Sequence, residues 1–460
     1  MARKNKSNKP GKPRNSRGGR SRSRKKQDGQ ARPNTNKGKN QPKDNTFDIQ
    51  MFAMANGGFA LGSHKGRTTF IPYTVPGETV RARVTEQKGR VDFAEGVELV
   101  EASADRVFPQ CPHFGPGQCW GCQWQHIDYR AQLLLKQDVM ADQLYRVGNF
   151  EDMVVERALR SVVPSPQQWR YSHNIVMVRD KDGNFGHFRM DGRTVESINE
   201  CHILHPDLEA LFDIIDVDYE DLERMQLWRG SDGKTMITLE MSSDTAPQLT
   251  ADLPTSVNIV LPDNEPANLV GESSVFYEVG GRLFRVTVGG TFRANVPQIE
   301  NLIASMLDML ELSDNDSVLD LYAGVGIFSA FLAHRAGLVT LVESYPPVVT
   351  DAEENLADFE NVDIVEGNVE DVLKVLVEAE EVYDAAVLDP PSSGLSRDAK
   401  EVLLALNIPK LVYISSDPAT LARDARQLVD RGGYELMRVQ PLDFAPQTYY
   451  IDSIALLVKK

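Results

Sequence analysis

Cys111, Cys119, Cys122 and Cys201 are the chain's four cysteines, and three of them share one short run, CPHFGPGQCWGC. A C-x-x-C pair in a loop brings two thiolates to one soft metal, and four thiolates complete a tetrahedral zinc site or an iron–sulfur cluster. Spacing does not choose between those two. Redox chemistry at the C-x-x-C is a third reading, but the βαβ pattern of thioredoxin-like motifs does not surround it. A second set lies in SVLDLYAGVGIFSAFLA, Ser317 to Ala333, which reads as a buried strand, a glycine turn and an apolar helix. Gly324 and Gly326 let backbone approach a ligand closely, and the helix beyond them presents free amides. Glu343 ends the next strand-like run, VTLVE, where an acid accepts ribose hydroxyls. Asp389 closes YDAAVLD just before Pro390 and Pro391. Carboxylates at strand ends disfavour a phosphate-rich cofactor and favour a nucleoside that carries positive charge, which S-adenosylmethionine supplies. A plain Rossmann-like fold with capping acids is the competing reading. The third set is the turn in VYISSDPATLARD, Val412 to Asp424, where Ser415 and Ser416 offer hydroxyls and no thiol.

These groups need a scaffold, and 460 residues are enough for two or three domains. Charge divides the chain sharply. Residues 1–44 carry 16 Lys and Arg against two Asp, a net of +14, whereas the remainder carries 34 basic and 64 acidic residues, a net of −30. A segment so basic and so poor in apolar residues cannot offset its chain entropy by burial, so residues 1–45 are expected to form a disordered tail. It reads either as a solubilising segment or as a tether for RNA phosphates. Residues 46–105 alternate apolar and polar in TFIPYTV and TVRARVTEQ, with turn signals at Gly57-Gly58 and Pro76-Gly77-Glu78, which predicts a small five-stranded barrel. Residues 106–289 form a central α+β region holding the cysteines, a helix around Ala131–Tyr145, strands in HNIVMVRD and RLFRVTVGG, and a helix-like stretch from Pro206 to Met225. From residue 290 to 460 the runs VTLVE, VDIVEG, YDAAVLD, KLVYIS and IALLV alternate with helical patterns, which predicts a mostly parallel, doubly wound sheet. The fold class is therefore α/β, a C-terminal Rossmann-like domain preceded by an OB-like barrel and an α+β domain.

Composition narrows the class further. No apolar run approaches the roughly 20 residues that span a bilayer, and no apolar segment of signal-peptide type follows the basic N-terminus. A cytoplasmic protein without membrane contact is expected, and no obligate protein partner is evident. Four cysteines in a reducing compartment point to metal or catalysis rather than to disulfides.

Taken together, these residues resemble the RNA uracil-5-methyltransferases of the class I, S-adenosylmethionine-dependent type that carry an N-terminal TRAM domain. The likeness covers nearly everything after the tail, including the VPGETV turn, the run into DRVFPQC and all four cysteine positions, although Trp120 stands where glycine is usual. The resemblance implies a [4Fe–4S] cluster on Cys111, Cys119, Cys122 and Cys201, with zinc as the alternative. It implies rRNA or tRNA as partner, and S-adenosylmethionine held by Arg293 (at a position where Gln is usual), Tyr322, Gly324, Gly326, Glu343 and Asp389. It also implies a nucleophile at the S-C-N-P turn, which reads Ser415-Ser416-Asp417-Pro418 here, and a base in F-P-Q-T-x-H-V-E, which reads FAPQTYYID with Tyr450 for His and Asp452 for Glu.

The exchanged groups matter because carbon 5 of uracil is a poor nucleophile until something adds at carbon 6. A thiol does this readily, with an unperturbed pKa of about 8.5, whereas the Ser416 hydroxyl needs a positioned base. Three readings follow: an active RNA methyltransferase using Ser416 weakly or a different nucleophile, an RNA- and cofactor-binding paralogue that does not methylate uracil, or methylation of a nitrogen or oxygen acceptor that needs only a base such as Asp417 or Asp452 and no covalent adduct.

Overall fold

The computed structural model describes residues 45–212, 214–215, 219–245, 254–263 and 266–460, so the expected basic tail lies outside the described residues. Alternating burial along the first strands closes a barrel. Strands β1 (Thr46–Met54), β2 (Ala60–His64), β3 (Arg67–Ile71), β4 (Thr79–Lys88) and β5 (Val91–Glu101) pair in the order β1-β2-β3-β5-β4. Ile49, Met51, Ile71, Val80, Ala82 and Ala94 fill its interior. Trp124, just past the cysteine run, and Ile451 belong to the same cluster, so the barrel core is completed by residues distant in sequence.

Gly58 shows how close this approach is. Its φ is +85°, and a Cβ there would lie 2.9 Å from Cδ1 of Tyr449, while its carbonyl accepts the indole N–H of Trp124 at 3.3 Å. Gly58→Ala therefore meets both an unfavourable backbone conformation and an aromatic ring. It is expected to cost about 1–3 kcal/mol, read as a lower denaturant midpoint at constant m value. A midpoint equal to that of the unaltered protein would contradict the packing.

Helix α1 (Tyr129–Arg146) and the short α2 (Asp152–Ala158) lead into a sheet formed by β6 (Asn174–Arg179), β7 (Phe185–Phe188), β8 (Val195–Ser197), β9 (Leu222–Arg229), β10 (Thr235–Met241), β11 (Ser256–Val260) and β12 (Pro266–Val270), ordered β12-β11-β10-β9-β6-β7-β8. The expected helix from Pro206 to Met225 is overturned. Among the described residues the only helix in this stretch is α3 (Pro206–Glu209), and Leu222–Met225 open β9; Asp213 and residues 216–218 lie outside the described residues. Ladders on both sides of β9, to β10 and β6, outweigh the local helical pattern. A hairpin, β13 (Ser274–Val279) with β14 (Arg282–Thr287), follows.

The C-terminal region alternates α4 (Val296–Leu310), β15 (Ser317–Leu321), α5 (Ile327–Leu332), β16 (Leu338–Glu343), α6 (Pro346–Asn355), β17 (Val362–Glu366), α7 (Val369–Glu378), β18 (Ala385–Leu388), α8 (Arg397–Ala405), β19 (Lys410–Ser415), α9 (Pro418–Gly432), β20 (Tyr434–Leu442) and β21 (Asp452–Lys459). Its sheet runs β17-β16-β15-β18-β19-β21-β20, parallel through β19 and antiparallel at β21 and β20. Strand β20 was not foreseen. Burial on both faces explains the continuous apolar runs of the central strands. Val318, Val387, Val412 and Ile414 join one core cluster, and Leu319, Leu388, Leu411 and Tyr413 join the other, the period of two that a strand imposes. Met140 and Leu144 of α1 pack in the second cluster, so the helix after the cysteine run is fastened directly to the C-terminal sheet.

Candidate active site

The carboxyl ends of β15, β16, β18 and β19 meet at one edge of the sheet, and two cavities open there. The glycine-loop cleft, about 610 Å³, is lined by Tyr322, Gly324, Glu343, Asp389 and Pro390 among others. The turn after β15 is tight. Tyr322, Gly324 and Gly326 all have positive φ, at 60°, 57° and 84°, and a Cβ on Gly326 would strike Leu356 at 2.7 Å. For a tyrosine this conformation is rare and costs energy, which is the kind of strain that binding loops store. Glu343 shapes the same edge. One oxygen accepts the N–H of Gly324 at 3.0 Å and the other those of Ser344 and Tyr345 at 2.6 and 3.0 Å.

Beneath this loop Asp320 is fully buried. Ser329 donates to Oδ2 at 2.6 Å, while Oδ1 has no partner among the described residues. Burial pushes its carboxyl up to about 7 from 3.8, with the charges of Asp389 and Glu343 adding to the rise. The folded value lies above the unfolded one, so the folded protein holds the proton through this window. The stabilisation is complete below about pH 4 and is lost as pH climbs towards 7. Relative to Asp320→Asn, the unaltered protein should lose up to about 1.4 kcal/mol per pH unit in that range. Denaturant midpoints at pH 4.5 to 7.5 read this difference, and a gap constant with pH would contradict the assignment.

The second, aromatic cavity is about 510 Å³ and draws on the whole chain. Asn56 comes from the barrel, Gly121 and Tyr171 from the central region, and Phe444, Tyr450 and Asp452 from the last connection. The Tyr449 and Tyr450 rings lie 4.4 Å apart, tilted by 31°. The segment from Asp443 to Asp452 has no regular structure until β21 begins, and side chains from other elements hold it. Gln132 on α1 exchanges two hydrogen bonds with Gln447, both 2.9 Å. Gln123 and Trp124 give their N–H groups to the Gln447 carbonyl at 3.1 and 2.9 Å. Tyr171 donates to the Pro446 carbonyl at 3.1 Å, and Asn295 to that of Phe444 at 3.1 Å. Lys136 reaches Asp443 at 2.6 Å and the Ala445 carbonyl at 3.0 Å.

Three residues line both cavities, Arg293, Ser392 and Ser416. The turn after β19 settles which of the two serine hydroxyls is available. Ser415 is buried; its hydroxyl donates to the Asp417 carbonyl at 2.9 Å and accepts the Asp417 N–H at 3.2 Å. Asp417 in turn caps α9 by accepting the Thr420 N–H at 2.6 Å. Ser416 is exposed and makes no hydrogen bond among the described residues. Arg293 is fully engaged. It donates to both oxygens of Asp389 at 2.9 Å and to Asp452 at 2.5 Å, and its guanidinium lies 5.1 Å from the Phe444 ring. Burial, then the charge of Arg293 acting in opposition and that of Asp389 reinforcing it, leaves the Asp452 carboxyl above its ordinary value.

The four cysteines are gathered about a separate cavity, which also takes His187, Phe114 and Ile203. Gly121 and Ile203 line this cavity and the aromatic one alike. All four thiols are free, and burial pushes Cys119 up to about 11 and Cys201 up to about 12. Among the described residues no three His, Cys, Asp or Glu side chains converge tightly enough to hold a metal ion, and no helix is long and apolar enough to cross a membrane. Tyr171, Asn295, Gln132 and Lys136 escaped the sequence reading because no local motif marks them; their partners lie far along the chain.

An open sheet with this order, a glycine turn after its central strand and a cleft at the strand ends form a Rossmann-like site of the kind that takes a nucleoside cofactor. Comparison with known proteins agrees. A family model described as tRNA (Uracil-5-)-methyltransferase matches residues 279–460. An uncharacterized RNA methyltransferase of Streptomyces avermitilis is 33% identical over 426 residues, covering 89% of this chain and 98% of the relative. The 23S rRNA (uracil(1939)-C(5))-methyltransferase RlmD of Francisella tularensis subsp. novicida is 28% identical over 451 residues, covering 91% and 98%. Among solved structures, the Pyrococcus abyssi tRNA (uracil-54, C5)-methyltransferase in complex with S-adenosyl-L-homocysteine superposes with a TM-score of 0.66 at 22% identity, covering 89% of this chain and all of that one. The protein is an S-adenosylmethionine-dependent RNA methyltransferase. It belongs to the RNA uracil-5-methyltransferase family.

Proposed function

We propose that the protein transfers a methyl group from S-adenosylmethionine to carbon 5 of a uracil in rRNA or tRNA. Ser416 stands at the nucleophile's position and Asp452 acts as the base. The observation that carries this reading is the meeting of two cavities at Ser416, one floored by the glycine loop and the other walled by aromatic rings. The glycine-loop cleft takes the cofactor, with Tyr322, Gly324, Gly326 and Glu343 around the nucleoside and Asp389 and Arg293 towards the sulfonium. The aromatic cavity takes the flipped base, which needs flat apolar walls once it has left its stack. Residues 46–105 serve as a TRAM-like barrel, 106–289 as the central domain and 290–460 as the methyltransferase domain, with 1–45 as a phosphate-binding tether.

Cys111, Cys119, Cys122 and Cys201 would hold a [4Fe–4S] cluster. All four border one cavity and supply soft thiolates; since no three of them converge on a single-ion position, their placement fits a multi-iron cluster better than the zinc alternative. Such a cluster would join the cysteine run to Cys201. A brown anaerobic preparation with visible charge-transfer absorbance supports iron, and a colourless preparation holding one zinc per chain decides for the alternative.

A second reading, a binding paralogue that no longer methylates uracil, is favoured by two observations: no base hydrogen-bonds to Ser416 among the described residues, and Asp452 is paired with Arg293. Incubation with labelled S-adenosylmethionine and rRNA or tRNA separates the two. Label recovered as 5-methyluridine, and lost in Ser416→Ala, supports the transferase. Bound cofactor and bound RNA without label supports the paralogue.

A further inference from the structure

We infer that Arg293 is a specificity-determining residue that sets the preference of the site for the cationic methyl donor against its neutral product. The inference deepens the cofactor reading above and rests on it. Among the described residues only Arg293, Ser392 and Ser416 line both cavities, so a methyl group passing from one to the other must pass beside them. The sulfonium that carries this methyl is therefore placed at the guanidinium end of the cleft. Arg293 joins Asp389, which lines the cofactor side, to Asp452, which lines the acceptor side, at 2.9 and 2.5 Å. The three side chains are only 22%, 25% and 11% exposed. Guanidinium stays charged throughout the accessible pH range, so one fixed positive charge offsets two carboxylates at the point of transfer.

Charge at sulfur is what changes in the reaction. The acceptor's electron pair forms the bond to the methyl carbon, the sulfur–methyl bond breaks with its pair returning to sulfur, and the displaced proton passes to Asp452. Sulfonium becomes neutral thioether. A fixed cation nearby raises the energy of the charged donor and leaves the neutral product almost untouched, so the donor binds less tightly relative to product than two free carboxylates would allow. It also favours the transition state, in which the positive charge on sulfur is already falling.

A neutral residue of similar reach removes the charge and keeps hydrogen-bonding capacity. In Arg293→Gln the ratio of dissociation constants, S-adenosylmethionine over S-adenosylhomocysteine, is expected to fall about tenfold at pH 8.5 and low salt, the scale of one partly screened charge at this range. Arg293→Lys keeps the charge and should hold the ratio within about twofold. Asp389→Asn removes an opposing charge and should move the ratio upward. Calorimetric titration of both ligands reads all three without any methyl transfer. An Arg293→Gln protein that binds both ligands with the original ratio overturns the inference, as does an Asp389→Asn ratio that fails to rise should Arg293→Gln not fold. If the unaltered protein binds neither ligand at millimolar concentration, the cofactor reading itself is lost, a distinct result.

Discussion

Ser416→Cys is expected to raise the single-turnover rate of uracil methylation by on the order of 100-fold or more. The position is exposed, free of hydrogen bonds among the described residues, and shared by both cavities, so a thiol can be placed there without disturbing a core; exposed substitutions of this kind stay within about 0.5 kcal/mol of the original stability. What changes is the chemistry. A cysteine is a few per cent thiolate near pH 7 and strongly nucleophilic even without help, whereas an alcohol needs a base to take its proton. Among the described residues no base hydrogen-bonds to Ser416. Ser415 is occupied by the turn, one oxygen of Asp417 caps the helix, and one oxygen of Asp452 is held by Arg293. Quenched-flow assay of 5-methyluridine formation measures the gain. An unchanged rate would place the limiting defect elsewhere, at the base or at RNA binding.

Lys136→Met should destabilise the protein by about 3–5 kcal/mol, the range for stranding one member of a buried ion pair. Both Lys136 and Asp443 have side chains 0% exposed and meet at 2.6 Å. The ammonium also holds the Ala445 carbonyl and lies 6.0 Å from the Trp124 ring. The loss therefore falls on the joint between α1, the barrel core and the segment that carries Asp452. Denaturant unfolding reads it as a lower midpoint. Pairing the change with Asp443→Leu should recover much of the loss, because two apolar side chains leave no charge without a partner. A single variant within 1 kcal/mol of the original would contradict this account of how the segment is held.

Much of the site was legible because its signals are local. Gly324 and Gly326 stand in one turn, Glu343 ends β16 and Asp389 follows β18, the two strands that flank β15, and Ser416 follows β19 at the expected place. The apolar runs of the C-terminal sheet are long enough to show burial on both faces. The four cysteines border one cavity. The Arg293 bridge was not legible, since its two carboxylates lie 96 and 159 residues away. Neither was the scaffold of Gln132, Lys136 and Tyr171, whose partners are more than 270 residues distant. Where local pattern and tertiary pairing disagreed, at Leu222–Met225, pairing on both sides of β9 prevailed.

Residue 416 is proposed as the point of covalent contact with the base, a contact that its alcohol makes slow. RNA carrying 5-fluorouridine tests it most directly, since after methyl transfer no proton remains on carbon 5 for the base to remove and the adduct persists. With S-adenosylmethionine present, Ser416→Cys should give a trapped protein–RNA species whose linkage maps by peptide mass to residue 416, while the unaltered protein gives little or none over the same time. Rapid trapping through the serine hydroxyl of the unaltered protein, or an adduct at any other residue, would contradict it.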